Sequence, residues 1–498
     1  MNLYDLLTHA GATDAPFLTT PAGETIRYGD LDALTARLAN ALVARGARPG
    51  DRVLAQVEKS PRALLLYLAA LRAGAVWLPL NTGYTAAEAA YFVGDAEPAL
   101  IVCDPAARAT FEDMGSAAAI ETLDANGDGS IADLAAGQAD AFTTVARGDD
   151  DLAATLYTSG TTGRSKGAML SHGNLASNAT TLAELWRFTP SDVLIHALPI
   201  FHVHGLFVAT NVIMAAGASM LFLPRFDPAE VAGWFPRASV LMGVPTFYTR
   251  LLDHPGLTRE TAAGMRLFVS GSAPLLDETH RAFAERTGHA ILERYGMTET
   301  GMNTSNPYDG ERRPGTVGLP LPGVEVRVAD PETGARLATG EIGMIEVRGP
   351  NVFKGYWRMP EKTMAEFRAD GFFLTGDLGL IDADGYVSIV GRGKDLIISG
   401  GLNVYPKEVE AAIDALPGVV ESAVVGAPHP DFGEAVVAFV VGDAALDEAT
   451  IVAGLADPLA RFKQPKRVIL TPALPRNAMG KVQKAELREA VKTLFAQP

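Results

Sequence analysis

Tyr157-Thr158-Ser159-Gly160-Thr161-Thr162-Gly163-Arg164-Ser165-Lys166-Gly167 follows an apolar run and sets three glycines among five serines and threonines, with one lysine near its end. Such a loop can bring backbone N–H groups, hydroxyls and a cation against a polyphosphate. Its spacing is not that of G-x-x-x-x-G-K-[ST], because the lysine lies three residues past Gly163 and is followed by Gly167. The plain alternative is a solvated linker, since glycine, serine and threonine also make ordinary loops. The sequence on either side separates the two readings.

Helical and strand-like segments alternate around the loop. Residues 34–45 have helical spacing, 52–57 read as a strand, 61–73 as a helix and 76–80 as a strand. That rhythm predicts an α/β fold of layered sheets and helices with largely parallel strands. From Gly315 short segments of alternating polarity (325–328, 343–348 and 386–390) sit between Gly, Pro and Asp turns, as in a small β subdomain of about 315–393. Gly391-Arg392-Gly393-Lys394-Asp395 reads as a linker. The last hundred or so residues mix helix (407–415, 485–495) and strand (422–425, 435–441), a compact α+β unit. The expected domains are therefore 1–393 and 394–498.

A chain of 498 residues exceeds one ordinary core. Its 42 basic and 58 acidic residues leave a net charge of −16, which argues against nucleic acid or an anionic membrane as partner. An anionic substrate must then be drawn by local cations. The single cysteine, Cys103, excludes internal disulfides and lies in an apolar run, so a buried structural thiol in a reducing cytoplasm is expected. No basic region precedes an apolar stretch near Met1, so no signal peptide is expected. The apolar stretch 206–224 carries Thr210, Asn211, Gly217 and Ser219 and reads as a buried helix–strand pair rather than a membrane span. Asp124-Ala125-Asn126-Gly127-Asp128-Gly129-Ser130-Ile131 imitates a calcium loop, but its twelfth position is Ala135, so a turn-rich surface loop is expected.

Further motifs follow the loop in order: Ser270-Gly271-Ser272-Ala273-Pro274 after a strand at 266–269, Tyr295-Gly296-Met297-Thr298-Glu299, Thr375-Gly376-Asp377, then Arg392. Together with the loop they resemble the adenylate-forming superfamily of acyl-CoA synthetases, luciferases and peptide-synthetase adenylation domains, over nearly the whole chain. The resemblance implies ATP and coenzyme A as co-substrates and Mg²⁺ bound with ATP. It implies that Lys166 contacts pyrophosphate, with Thr158, Ser159, Gly160, Thr161, Thr162 and Gly163 around it. Gly271, Ser272 and Ala273 would form the wall under adenine and Tyr295 would stack on the base. Thr298 would touch phosphate, Glu299 would bind Mg²⁺, and Asp377 with Arg392 would hold the ribose. Lys394 falls on the family's hinge, about which a mobile C-terminal lid domain would rotate. Lys481, in Pro475-Arg476-Asn477-Ala478-Met479-Gly480-Lys481, resembles the lid lysine that bridges carboxylate and α-phosphate. Gly400 and Gly401 resemble the loop lining the pantetheine tunnel. Lys481 is also a candidate target for a protein acetyltransferase, since acetylation would remove its charge.

The acid is read from the residues near these motifs. His202, in Pro199-Ile200-Phe201-His202-Val203-His204-Gly205, resembles the residue beside the reacting carboxylate; His204 reads equally as a packed histidine. Along the strand 266–270 side chains alternate, so Arg266 is expected on the face of Ser270, aimed into the acyl pocket. A buried arginine asks for an anion. Arg294, next to Tyr295, is a second candidate, with an outward ion pair as its alternative. Val203 and Met302 could close the pocket around a short chain. A guanidinium clamping one carboxylate while another reacts describes a short dicarboxylate. Malonate fits, with methylmalonate its neighbour, and the chain through Met302-Asn303-Thr304-Ser305-Asn306-Pro307-Tyr308 resembles bacterial malonyl-CoA synthetases. The rival readings are a synthetase for a short monocarboxylate or aromatic acid, an enzyme loading a carrier protein in trans, and a nucleotide-binding module without catalysis.

Overall fold

The computed structural model describes residues 1–158, 165–399, 402–430, 432–456, 458–477 and 480–495. Packing divides the chain into two units: Met1–Glu325 with Val347–Phe373, and Val326–Glu346 with Leu374–Pro498. This partition differs from a boundary at 393/394. The strand Val387–Arg392 packs with the helix Pro406–Asp414, so most of the small β sheet groups with the carboxyl-terminal segment.

The first unit is built on two sheets. One has six strands in the order Ala119–Thr122, Leu100–Cys103, Arg52–Gln56, Val76–Pro79, Leu152–Thr158, Lys166–Ser171. The other has nine, in the order Leu319–Pro320, Gly301–Ser305, Leu292–Met297, Leu267–Ser270, Val240–Gly243, Val193–His196, Ser219–Phe222, Pro16–Thr19, Thr25–Arg27. Its middle is parallel, and antiparallel neighbours close each side. Parallel strands are covered on both faces, which is why Leu100–Cys103, Val76–Pro79 and Leu267–Ser270 are buried at every residue. The helix Pro61–Arg72 starts where Ser60 accepts the Ala63 N–H and Pro61 takes the first turn. It is buried from Ala63 onward.

The stretch 206–224 forms the end of a π-helix, His204–Thr210, then the helix Asn211–Ala215 and the strand Ser219–Phe222. No helix among the described residues is long and apolar enough to cross a membrane. The calcium-loop look-alike is a turn: the Asp124 carboxylate accepts the Asn126 and Asp128 N–H groups, each at 2.8 Å, and Gly127 has φ +85°. Cys103 is buried, and its burial raises the thiol pKa to about 11.

The second unit holds a four-stranded sheet (Glu325–Ala329, Gly343–Arg348, Phe373–Ile381, Val387–Arg392) and a mixed sheet centred on Val419–His429 and Gly433–Gly442. The expected linker is ordered, since Gly391 and Arg392 finish a strand and Gly393–Asp395 form a 3-10 turn. One face of the mixed sheet packs Val409, Ile413, Ile451 and Leu455; a separate cluster packs Leu474, Leu487 and Val491. The last helix ends at Ala490, earlier than expected.

Candidate active site

In the first unit the predicted residues gather where the parallel strands Val240–Gly243, Leu267–Ser270 and Leu292–Met297 end, the place where open α/β sheets bind ligands. Gly271 leaves the strand against the guanidinium of Arg294. A Cβ there would stand 2.3 Å from Arg294 Cζ, so any other residue would force the guanidinium to move. Ser272 follows with φ +70°, a left-handed conformation unusual for a residue with a Cβ.

Arg294 is 3% exposed. Among the described residues its Nε and Nη2 have no hydrogen-bond partner. Burial pulls its pKa down to about 9. Beside it, His204 is buried and its Nδ1 is 3.3 Å from the Ser272 hydroxyl, while its Nε2 has no partner among the described residues. Burial first, and the Arg294 charge second, keep His204 neutral. Ser270 is fully buried with an unpartnered hydroxyl among the described residues. Orphaned buried polar groups are costly, and an anion placed here could accept from the guanidinium and the hydroxyl.

Arg266 corrects the expectation drawn from strand alternation. The strand begins at Leu267, and Arg266 lies four residues from Ser270, roughly 13 Å along an extended chain. Its Nε and Nη2 grip the two oxygens of the buried Asp192 at 2.6 and 2.8 Å, and its Nη1 donates to the Trp186 carbonyl at 3.0 Å. Its anion is therefore internal. Phe268, between Arg266 and Ser270, packs in the core edge-on against Phe235 and Phe283.

The π-helix brings His204 into place. A Cβ on Gly205 would lie 2.0 Å from the Pro199 carbonyl oxygen, so the tight approach needs glycine. The Gly205 carbonyl can only accept, so His196 Nε2, 2.8 Å away, must donate. His196 Nδ1 then takes a hydrogen from Lys59 Nζ at 2.9 Å, and Lys59 also donates to the His196 carbonyl at 2.8 Å. Burial holds both groups well below their ordinary pKa values. Sequence reasoning missed this pair, because the two residues are 137 positions apart. His202 is half-buried, with Nδ1 3.4 Å from the His204 N–H. Val203 and Thr298 line one small cavity with Phe207 and Asn178. Met302 is buried; a Cβ on Gly296 would come within 2.5 Å of its methyl carbon. Asn178 pins the Met302 backbone, accepting its N–H and donating to its carbonyl, each at 3.0 Å.

The acidic motif lies in the same unit. Glu299 is 6% exposed, and its Oε1 is 3.3 Å from the Thr158 hydroxyl and 3.1 Å from the Tyr356 hydroxyl. Carboxylate and hydroxyl oxygens suit a hard cation. No group of three or more His, Cys, Asp or Glu that could hold a metal ion lies together among the described residues, and a magnesium site completed by substrate phosphates and water needs none. Tyr295 is buried, whereas Ala273 is half-buried. Ser159, Gly160, Thr161, Thr162 and Gly163 lie outside the described residues, as do Gly400 and Gly401. Lys166 opens a strand, and its ammonium lies on Glu366.

The second unit carries its own cluster. Asp377 and Arg392 face each other across two antiparallel strands and form an ion pair, Nε to Oδ1 at 2.6 Å. Thr375 steadies the turn, accepting the Asp377 N–H and donating to the Ile345 carbonyl. The Lys481 residue is exposed, but the protein around its ammonium, then the Arg392 charge, lower its pKa. Its backbone is held by Asn477, whose Oδ1 accepts the Lys481 N–H at 3.0 Å. Lys394 is likewise lowered by burial.

The sequence matches the family described as AMP-binding enzyme over residues 8–357, and the AMP-binding enzyme C-terminal domain over residues 408–481. Among solved structures, the ATP-bound MatB of Rhodopseudomonas palustris is 62% identical, with 99% of each chain covered and a TM-score of 0.98. A malonate–CoA ligase of Arabidopsis thaliana is 35% identical over 90% of this chain and 79% of its own. A feruloyl-CoA synthase of an Amycolatopsis species is 36% identical over 94% of both.

Proposed function

The chain belongs to the AMP-binding enzyme family and is an adenylate-forming CoA ligase using ATP, CoA and a carboxylate, and from that premise we propose that its carboxylate is malonate. One malonate oxygen attacks the α-phosphorus of ATP, the bond to pyrophosphate breaks, and malonyl-AMP forms. The CoA thiol then attacks the malonyl carbonyl carbon, its proton is lost, and AMP leaves.

The observation that carries the reading is Arg294, a buried guanidinium with two N–H-bearing nitrogens unpartnered among the described residues. A second carboxylate supplies the acceptors, bidentate by preference. Relatives of similar identity are named for malonate and for ferulate, so identity alone does not choose between them. The buried cation supports malonate, because a monocarboxylate would leave it unpaired. His204, held neutral, adds a polar wall without a second charge. Ser270 and Ser272 offer hydroxyls, and Val203 and Met302 limit length. Methylmalonate adds one methyl, worth only ~1–3 kcal/mol in discrimination.

On the nucleotide side, Glu299 and Thr158 would hold Mg²⁺, which supplies charge neutralisation of the phosphates when bound. Thr298 would meet phosphate, Tyr295 and the Gly271–Ala273 wall would hold adenine, and Asp377 with Arg392 would hold ribose. Lys481 would bridge carboxylate and α-phosphate, and its acetylation would suppress the first half-reaction. Lys394 would serve as hinge. Pyrophosphate release with ATP·Mg²⁺ and CoA, run over malonate, methylmalonate, succinate, acetate, butyrate and benzoate with mass detection of the thioester, tests the reading. Preference for malonate supports it. Preference for a monocarboxylate would keep the ligase chemistry and remove the guanidinium clamp.

A further inference from the structure

Lys166 is 7% exposed, too buried for a lysine reaching into an open phosphate site. Its ammonium is 3.1 Å from Glu366 Oε1 and 4.1 Å from the centre of the Tyr356 ring, which it faces. Leaving that position would take one of two cations from a half-buried carboxylate and remove the cation from an aromatic face. Glu366 Oε1 also holds Lys362 at 2.7 Å. Its other oxygen accepts from the Tyr356 hydroxyl at 2.6 Å, and the same hydroxyl is 3.1 Å from Glu299 Oε1.

The phenol has one proton and two carboxylates within reach. Burial, then the Glu299 charge, keep that proton on the phenol oxygen. Which carboxylate receives it depends on the charge at each. The hydroxyl lies nearer Glu366, at 2.6 Å, than Glu299, at 3.1 Å, and Lys166 together with Lys362 offsets the Glu366 charge, so that the phenol is shared with Glu299 rather than held by Glu366 alone. Without Lys166, Lys362 alone would offset Glu366, which would draw the proton further to itself and weaken the donation that orients Glu299.

We propose that Lys166 is a positioning residue that acts through Glu366 and Tyr356 on the orientation of Glu299, rather than by touching phosphate itself. The proposal rests on the reading of Glu299 as the acid that receives the nucleotide's magnesium. Partners that orient a metal-binding carboxylate typically govern metal affinity by about 10–100-fold.

Calorimetric titration of the full chain with ATP, in magnesium and in EDTA, tests it without turnover. K166M and Y356F should each weaken binding by roughly tenfold in magnesium, and by less than about twofold in EDTA. Y356F keeps the ring and the Lys166–Glu366 pair, so a magnesium-specific loss there cannot come from misfolding. E366Q added to K166M removes the charge that Lys166 offsets and should return magnesium-dependent affinity close to wild type. A K166M loss equal in both media and not restored by E366Q would place Lys166 on the phosphates and overturn the proposal. So would a Y356F variant that binds like wild type. A wild type that binds ATP equally with and without magnesium would overturn the Glu299 reading and the relay with it.

Discussion

Replacing Arg294 with methionine should separate stability from function in opposite directions. Arg294 stands in the strand Leu292–Met297 and is nearly inaccessible. Burial lowers its pKa to about 9. Taken at ~1.36 kcal/mol per pKa unit, the displacement from the ordinary guanidinium value is on the order of 5 kcal/mol. The sign follows from proton binding. A base depressed in the folded state binds fewer protons there than unfolded between about 9 and its ordinary value, so stability rises with pH through that window. Below about pH 9 the guanidinium is charged and the full cost applies. Methionine of similar length removes the charge, and apolar replacement of buried ions stabilises by ~1–4 kcal/mol. R294M should therefore unfold at higher urea than wild type when no acid is bound. Its kcat/KM for malonate should fall by the ~2–5 kcal/mol lost when a buried charge pair is truncated, a drop of about 30-fold or more. Acetate and butyrate should be spared or improved. Urea melts at pH 8 and the pyrophosphate assay with malonate and butyrate measure both. A variant that is destabilised and loses malonate and butyrate equally would refute the argument, because Arg294 would then be a structural cation.

Arg266→Leu should behave in the contrary way: it strands the buried Asp192 carboxylate, so unfolding free energy should drop by ~3–5 kcal/mol while the malonate-to-acetate ratio stays at the wild-type value. A selective loss of malonate turnover would return Arg266 to the acyl pocket. His172 accepts the Leu3 N–H, and burial, helped by the Arg147 charge, lowers its pKa from 6.5 to about 4. Its contribution is complete above pH 6.5 and lost as pH falls to about 4, about 3 kcal/mol at ~1.36 kcal/mol per pKa unit. H172N should flatten that part of the stability–pH curve in urea melts, and an unchanged slope would contradict the assignment. Asp414 is shifted the other way, from 3.8 to about 7, by burial and by Glu410 and Glu421, with Ser422 opposing. The folded state then binds the extra proton between these values, so stability falls as pH rises through the window; D414N should stabilise by ~1–3 kcal/mol at pH 8 and by almost nothing at pH 4. Equal effects at the two pH values would mean that Asp414 is not the titrating group.

Local order was largely legible in the sequence. Strands such as 76–79 and helices such as 61–72 are marked by unbroken apolar runs and by caps within a few residues, and those signals act over one turn or one strand. Family membership was legible as well, since the segments 157–167, 270–274, 295–299 and 375–377 are contiguous spellings read without any distant partner. Direction was not legible. Alternation along the strand aims Arg266 into the pocket, but the strand starts at Leu267 and Asp192, 74 positions away, claims the guanidinium. The contact of Lys166 with Glu366, 200 positions away, is likewise invisible in the loop's own spelling. Which arginine keeps unsatisfied donors, which histidine is forced neutral and which lysine is buried depend on what the folded sheet sets opposite them. Those partners come from distant segments, and the free energy of a charge is decided by its partner and its burial rather than by its neighbours in the chain.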